Sequence, residues 1–134
     1  MKVFLIDDDI IYRRIASKMW ELIDSSVETI ACENGAIGLL DLECERDSNQ
    51  PISVLLDINM PVLNGWDFLR ELEKKNFYQL PDLHIYLVSS STDERDILKS
   101  REFPFIKAFI HKPLTKENIE MIINHVQDHP DKQS

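Results

Sequence analysis

Apolar runs alternate along the chain with stretches of helical period. VFLI (3–6) reads as a strand. A helix follows from about Ile10 to Leu22, with Ile11, Ile15, Met19, Leu22 and Ile23 recurring at helical spacing. VETIAC (27–32) is a second strand. NGAIGLLDLECER gives a second helix with Ile37, Leu40 and Cys44 on one side, weakened by Gly38. ISVLL (52–56) is the third strand, and residues 64–75 form a helix that buries Phe68, Leu69 and Leu72. LHIYLV (83–88) precedes a short charged helix near 93–101, stopped by Pro104. KAFIH (107–111) is the fifth strand. Residues 115–127 close the pattern as a helix with Ile119, Ile122, Ile123 and Val126 in step, and Thr115 with Asn118 marks its start.

Five strands alternating with five helices predict an α/β fold. Parallel strands need crossover helices, so the order implies a doubly wound five-stranded parallel sheet with helices on both faces. Strands one, three and four are almost wholly apolar, as expected where both faces are covered. The reading assigns residues 1–128 to one domain and 129–134 to a polar tail. Such sheets carry ligands at the carboxyl ends of their strands, where the strand order reverses.

The polar residues after each strand therefore matter most. Asp7, Asp8 and Asp9 follow the first, Asp57 the third, Ser89, Ser90 and Ser91 the fourth, and Lys112 with Pro113 the fifth. One rim would gather acids, a hydroxyl and an amine. Two carboxylates about 4 Å apart at an effective dielectric near 20 repel by roughly 4 kcal/mol. One lysine cannot offset several such pairs, whereas a divalent cation can. Clustered carboxylates, carbonyls and waters suit Mg2+. The amine and hydroxyl suit a phosphoryl group. Asp57 is the candidate nucleophile, since it ends a central strand and a carboxylate needs no general base at neutral pH. The bend at Met60-Pro61 would turn a carbonyl toward the metal, and Asn64-Gly65 would launch the next helix.

Composition narrows the partners. The chain has 134 residues, 43% hydrophobic and 29% charged, with a formal net charge of -9. That balance argues against direct binding to nucleic acid or to anionic lipid. No stretch reaches the apolar length of a membrane span, and MKVFLIDDD meets its acids too early for a signal peptide. A cytoplasmic protein is expected. Cys32 and Cys44 lack zinc spacing and are read as reduced, buried thiols.

LIDDD, LLDINMPVLNGW, LVSSS and HKPL, in this order, resemble the receiver domain of two-component response regulators, here as a stand-alone unit over residues 1–128. The resemblance implies the flavodoxin-like strand order 2-1-3-4-5. It implies a phosphorelay module, not an enzyme, in which Asp57 is the phosphoacceptor. Asp8 would bind Mg2+ directly, Asp7 largely through water, and Asn59 through its backbone carbonyl, with Asp57 completing the set. Ser89 and Lys112 would contact the phosphoryl oxygens, and the Lys112-Pro113 peptide would be cis. Ser89 and Phe109 would form the conformational switch. Asn59 and Ser91 lie where the family tunes dephosphorylation. Lys107 departs from the small residues usual before the fifth strand. The implied partners are a sensor histidine kinase or histidine phosphotransfer protein and a downstream protein target, with a homodimer on phosphorylation as one form of the signal.

Each residue also has a plainer reading. Asp9 suits a helix N-terminus, Asp57 could cap a turn, Lys112 could be a solvated charge, the serines a loop, and Phe109 a core aromatic. Trp20 and Trp66 are read as core residues. His84, His111, His125 and His129 show no metal spacing and are read as surface or strand residues. A second function is a haloacid-dehalogenase-like phosphatase using Asp7 of Asp7-x-Asp9. A third is a receiver-like binding module that is never phosphorylated.

Overall fold

The computed structural model describes residues 1–60, 63–80, 82–90 and 93–127. Five strands, β1 (Lys2–Ile6), β2 (Glu28–Cys32), β3 (Ile52–Asp57), β4 (Leu83–Ser89) and β5 (Ile106–His111), pair in parallel in the order β2-β1-β3-β4-β5. Five helices connect and close them: α1 (Ile10–Ile23), α2 (Gly35–Cys44), α3 (Gly65–Lys74), α4 (Glu94–Ser100) and α5 (Lys116–Gln127). Element bounds fall within two residues of the sequence expectation. A short 3-10 turn, Phe77–Gln79, was not foreseen; it drops the Phe77 ring into the core.

Alternate residues of each strand serve the two faces, because successive side chains point to opposite sides of a sheet. Phe4, Ile6, Val54, Leu56, Ile85 and Leu87 pack with Leu42, Phe68, Leu69 and Leu72 from α2 and α3. Val3, Leu5, Leu55, Tyr86, Val88 and Ile110 pack with Ala16, Trp20, Ile119 and Ile122 from α1 and α5. The apolar strands are thus covered twice, which explains their lack of polar alternation.

Two helix faces differ from the periodicity. In α1 the buried residues are Ala16 and Trp20, while Ile11, Ile15 and Leu22 face outward, Leu22 at 74% exposure. In α2 the buried residues are Gly35, Gly38 and Leu42, with Leu40 69% exposed and Cys44 also exposed. In α2 a small residue carries the reason. A Cβ on Gly38 would meet Ile6 Cδ1 at 2.6 Å, so the glycine that weakens the helix also lets it sit against β1. In α1 it is the large Trp20 ring, fully buried beside Ala16, that marks the packed face. Cys32 is buried as expected; Cys44 is not.

Caps start three helices where sequence placed them. Asp9 accepts the amides of Ile11 and Tyr12, and Asn64 accepts that of Asp67. Thr115 and Asn118 cap α5 reciprocally, each side chain accepting the other's amide at 3.0 Å. Among the described residues no helix is long and apolar enough to cross a membrane. Pro61, Ser91, His129 and the tail at 129–134 lie outside the described residues.

Candidate functional site

The strand order reverses between β1 and β3, so their carboxyl ends flank one crevice. Backbone hydrogen bonds continue past the strand ends and fix the residues beyond them. The Asp7 amide donates to the Cys32 carbonyl at 3.1 Å, Ile58 to Val88 at 3.3 Å, and Lys112 to Ser89 at 2.8 Å. Asp57 is itself the last residue of β3, in register with Val88. The acid at the end of the apolar run is therefore held by the ladder.

Asp7, Asp8 and Asp57 converge: one carboxylate oxygen from each lies within 4.8 Å of the others. Asp7 and Asp57 are buried and Asp8 is exposed. Asp7 Oδ1 accepts the Asp9 amide at 2.9 Å, and Asp57 Oδ1 accepts the Asn59 amide at 3.1 Å. Asp57 thus also caps its turn, as its plainer reading allowed. Arg13 Nη1 donates to the Asp7 carbonyl at 2.5 Å, bracing the loop from α1.

Lys112 Nζ lies 2.7 Å from Asp7 Oδ2 and 3.7 Å from Asp57 Oδ2. The Asp7 contact is one of charge; Asp7 Oδ2 is buried and has no aligned hydrogen-bond donor. One ammonium serves at least two buried acids. The pKa of Asp57 is pushed up to about 6, first by burial and then by the charge of Asp7; Lys112 and the Asn59 amide pull it partly back, and Asp8 adds a smaller upward push. Three clustered carboxylates served by a single ammonium suit a small hard divalent cation such as Mg2+, which prefers oxygen ligands and keeps waters. The donor set fits that ion.

Ser89 ends β4 on the same rim and is fully buried, in register with His111 of β5. The Lys112-Pro113 peptide is cis. Phe109 is half-buried in β5, in register with Leu87 and packed against the α2–α3 core. Asn59 is exposed beside Asp57. The rim therefore collects Asp7, Asp8, Asp57, Asn59, Ser89 and Lys112, with Phe109 two residues inside the end of β5.

Two further residues shape the site, one read from sequence only as part of the helix-launching pair Asn64-Gly65 and one not singled out at all. Gly65 begins α3, and a Cβ there would lie 2.8 Å from Ile58 Cα and 2.9 Å from the Asp57 carbonyl oxygen. Its absence of a side chain lets α3 start against the backbone that carries the acid. Tyr12 stands in the first turn of α1, with the Lys112 ammonium 4.5 Å from its ring centroid. Burial, then Asp7 and Asp57, raise its phenol well above the ordinary value, so it remains an O–H donor. The signal that could have found Tyr12 was position: it stands in the first turn of a helix launched from this rim.

Residues 3–124 match the response regulator receiver domain family. The chain is 30% identical over 123 residues to a protein-glutamate methylesterase/protein-glutamine glutaminase of Pyrococcus abyssi, covering 90% of this chain and 31% of that one. The first curated relatives it matches are longer, and it spans from 7% to 45% of their lengths. Among solved structures, a two-component response regulator from Cytophaga hutchinsonii superposes with a TM-score of 0.83 at 27% identity, covering 95% and 96% of the two chains. The response regulator TrrA from Thermotoga maritima, solved in complex with Mg2+-BeF, shares the fold with a TM-score of 0.70 at 22% identity, covering 93% and 97%. The fold, the acid rim and these matches lead to one assignment: the chain belongs to the response regulator receiver domain family of two-component signalling.

Proposed function

We propose that Asp57 accepts a phosphoryl group in a phosphorelay. A carboxylate oxygen of Asp57 would attack phosphorus in line; the new P–O bond forms as the P–N bond of a donor phosphohistidine breaks, and solvent returns a proton to the departing imidazole. The donor would be a sensor histidine kinase, a histidine phosphotransfer protein or a small phosphodonor. The observation that carries this reading is the packing of Asp7, Asp8 and Asp57 into one oxygen cluster beside the Lys112 ammonium.

Asp8, Asp57 and the Asn59 carbonyl would hold Mg2+, with Asp7 acting largely through water, as the family resemblance implies. The ion, when bound, neutralises charge on the acids and on the transferring group. Lys112 would pair with a phosphoryl oxygen, and the Ser89 hydroxyl would donate to another. Both sit at the ends of adjacent strands, joined by the Lys112 amide to the Ser89 carbonyl, so they would move together. Phe109 would turn inward as Ser89 is drawn to the phosphoryl group, shifting the face formed by α4, β5 and α5. That shift is a population change driven by differential hydrogen bonding.

The signal would pass to a downstream protein target, with dimerisation on phosphorylation as one route. Residues 1–128 would form the receiver unit and 129–134 a polar tail. We place the protein in the cytoplasm, where Cys32 and Cys44 would stay reduced. The phosphatase alternative lacks support: the family match spans residues 3–124, and nucleophilic Asp7 would leave Asp57 without a role. Calorimetric titration with Mg2+, followed by acetyl phosphate treatment, tests the proposal. Wild type should bind the ion at millimolar levels and gain a phosphoryl group, and Asp57→Asn should gain none. Wild type that binds no Mg2+ and stays unmodified would instead favour the non-phosphorylated binding module.

A further inference from the structure

The Tyr12 hydroxyl is buried and has no hydrogen-bond partner. Buried polar groups are nearly always satisfied, so an orphan in a functional crevice points to a missing acceptor. Phenylalanine would fill the same space without that cost. The residue is also pinned: the Asp9 cap accepts its amide at 3.3 Å, and its ring lies against the Lys112 ammonium, 4.5 Å from centroid to Nζ. That same ammonium contacts Asp7 and Asp57. Asp7 and Asp57, the two buried acids of the rim, are already engaged: Lys112 contacts both, and each accepts a backbone amide. A phosphoryl group on Asp57 would bring new acceptor oxygens.

We propose that Tyr12 belongs to the phosphoryl-binding set: its hydroxyl donates to an oxygen of the group held on Asp57, while its ring holds the Lys112 ammonium beside that group. The inference rests on the phosphoacceptor reading above. It makes α1 a third source of donors, besides the ends of β4 and β5.

Beryllofluoride with saturating Mg2+, followed by 19F NMR on the full chain, tests this with Tyr12→Phe and Tyr12→Leu. Tyr12→Phe keeps the ring and should bind Mg2+ as wild type does. It should bind beryllofluoride about tenfold more weakly, the loss expected for one charge-assisted hydrogen bond. Tyr12→Leu should weaken it further, because Lys112 loses its platform. Equal beryllofluoride affinity in Tyr12→Phe and wild type would overturn the proposal. So would a parallel loss of Mg2+ affinity in Tyr12→Phe, which would mark general damage to the site. Wild type that takes up no beryllofluoride would overturn the phosphoacceptor reading and this inference together.

Discussion

Lys112 Nζ lies 2.7 Å from Asp7 Oδ2, in direct ionic contact with a carboxylate buried at the end of β1. Its approach to Asp57, at 3.7 Å, is looser. In this arrangement Lys112 chiefly neutralises Asp7 and only partly relieves Asp57. Replacing it with alanine should leave two buried acids unpaired. Loss of one partner from a buried pair costs about 3–5 kcal/mol where the pair is fully buried; Lys112 is partly exposed, so Lys112→Ala should cost less, about 1–3 kcal/mol by denaturant titration without Mg2+. Added Mg2+ should recover much of that loss, but acetyl phosphate uptake should remain far below wild type.

Asp57→Asn should make the metal-free protein more stable. In the folded state the acid titrates near 6, against an ordinary value of 3.8. Its ionised form is therefore disfavoured by folding. The penalty is absent below the unfolded value, grows as pH rises from about 4 through about 6, and is complete above that, reaching roughly 1–3 kcal/mol. Thermal unfolding of wild type and Asp57→Asn should coincide at about pH 4 and separate by about pH 7, with the substituted chain the more stable. Mg2+ should narrow the gap. A gap that shrinks with rising pH would contradict the electrostatic account.

The same titration governs ion binding. Mg2+ needs the ionised carboxylate, so its affinity should fall as pH drops through about 6. Calorimetry in buffers of different ionisation enthalpy should reveal proton release on binding near that pH, and none once Asp57 is fully ionised.

Gly65→Ala should damage the site more than Gly38→Ala. At Gly65 the added methyl meets backbone, Ile58 Cα at 2.8 Å and the Asp57 carbonyl at 2.9 Å. At Gly38 its nearest neighbours are side-chain atoms of Ile6, Cδ1 at 2.6 Å, and not backbone. We expect about 1–3 kcal/mol of destabilisation for Gly65→Ala, as for other overpacked sites, and a clear loss of phosphoryl uptake. Gly38→Ala should lose less of both, because better helix propensity offsets some strain.

The two cysteines should separate in a labelling experiment. Cys44 is exposed at the end of α2 and should react readily with iodoacetamide at mildly alkaline pH. Cys32 is buried at the end of β2, and burial with the nearby Asp41 carboxylate pushes its thiol up to about 12. It should label only on unfolding.

How far the sequence carried the structure depended on how local each signal was. Apolar runs and cap residues lie next to the elements they define, so Asp9, Asn64 and Thr115 placed three helix starts correctly. The rim was legible for the same reason: a parallel sheet puts every strand's carboxyl end on one side, and Asp7, Asp57, Ser89 and Lys112 each follow or end a strand. Helix orientation was not legible. Periodicity counts apolar residues, but α1 packs on Ala16 and Trp20 and α2 on Gly38 and Leu42, leaving Ile15 and Leu40 outside. At α2 closeness of approach, allowed by the missing side chain of Gly38, decided the face; at α1 it was the large Trp20 ring. Tyr12 escaped notice because its role depends on Lys112, which lies 100 positions later in the chain and meets it only across the fold.

The central claim is that convergent acids hold a divalent ion so that Asp57 can accept a phosphoryl group. Peptide mapping after acetyl phosphate treatment and borohydride trapping tests it most directly. We expect modification at Asp57 alone, dependent on Mg2+. Modification at Asp7 or Asp8, or equal modification when EDTA replaces Mg2+, would contradict the account.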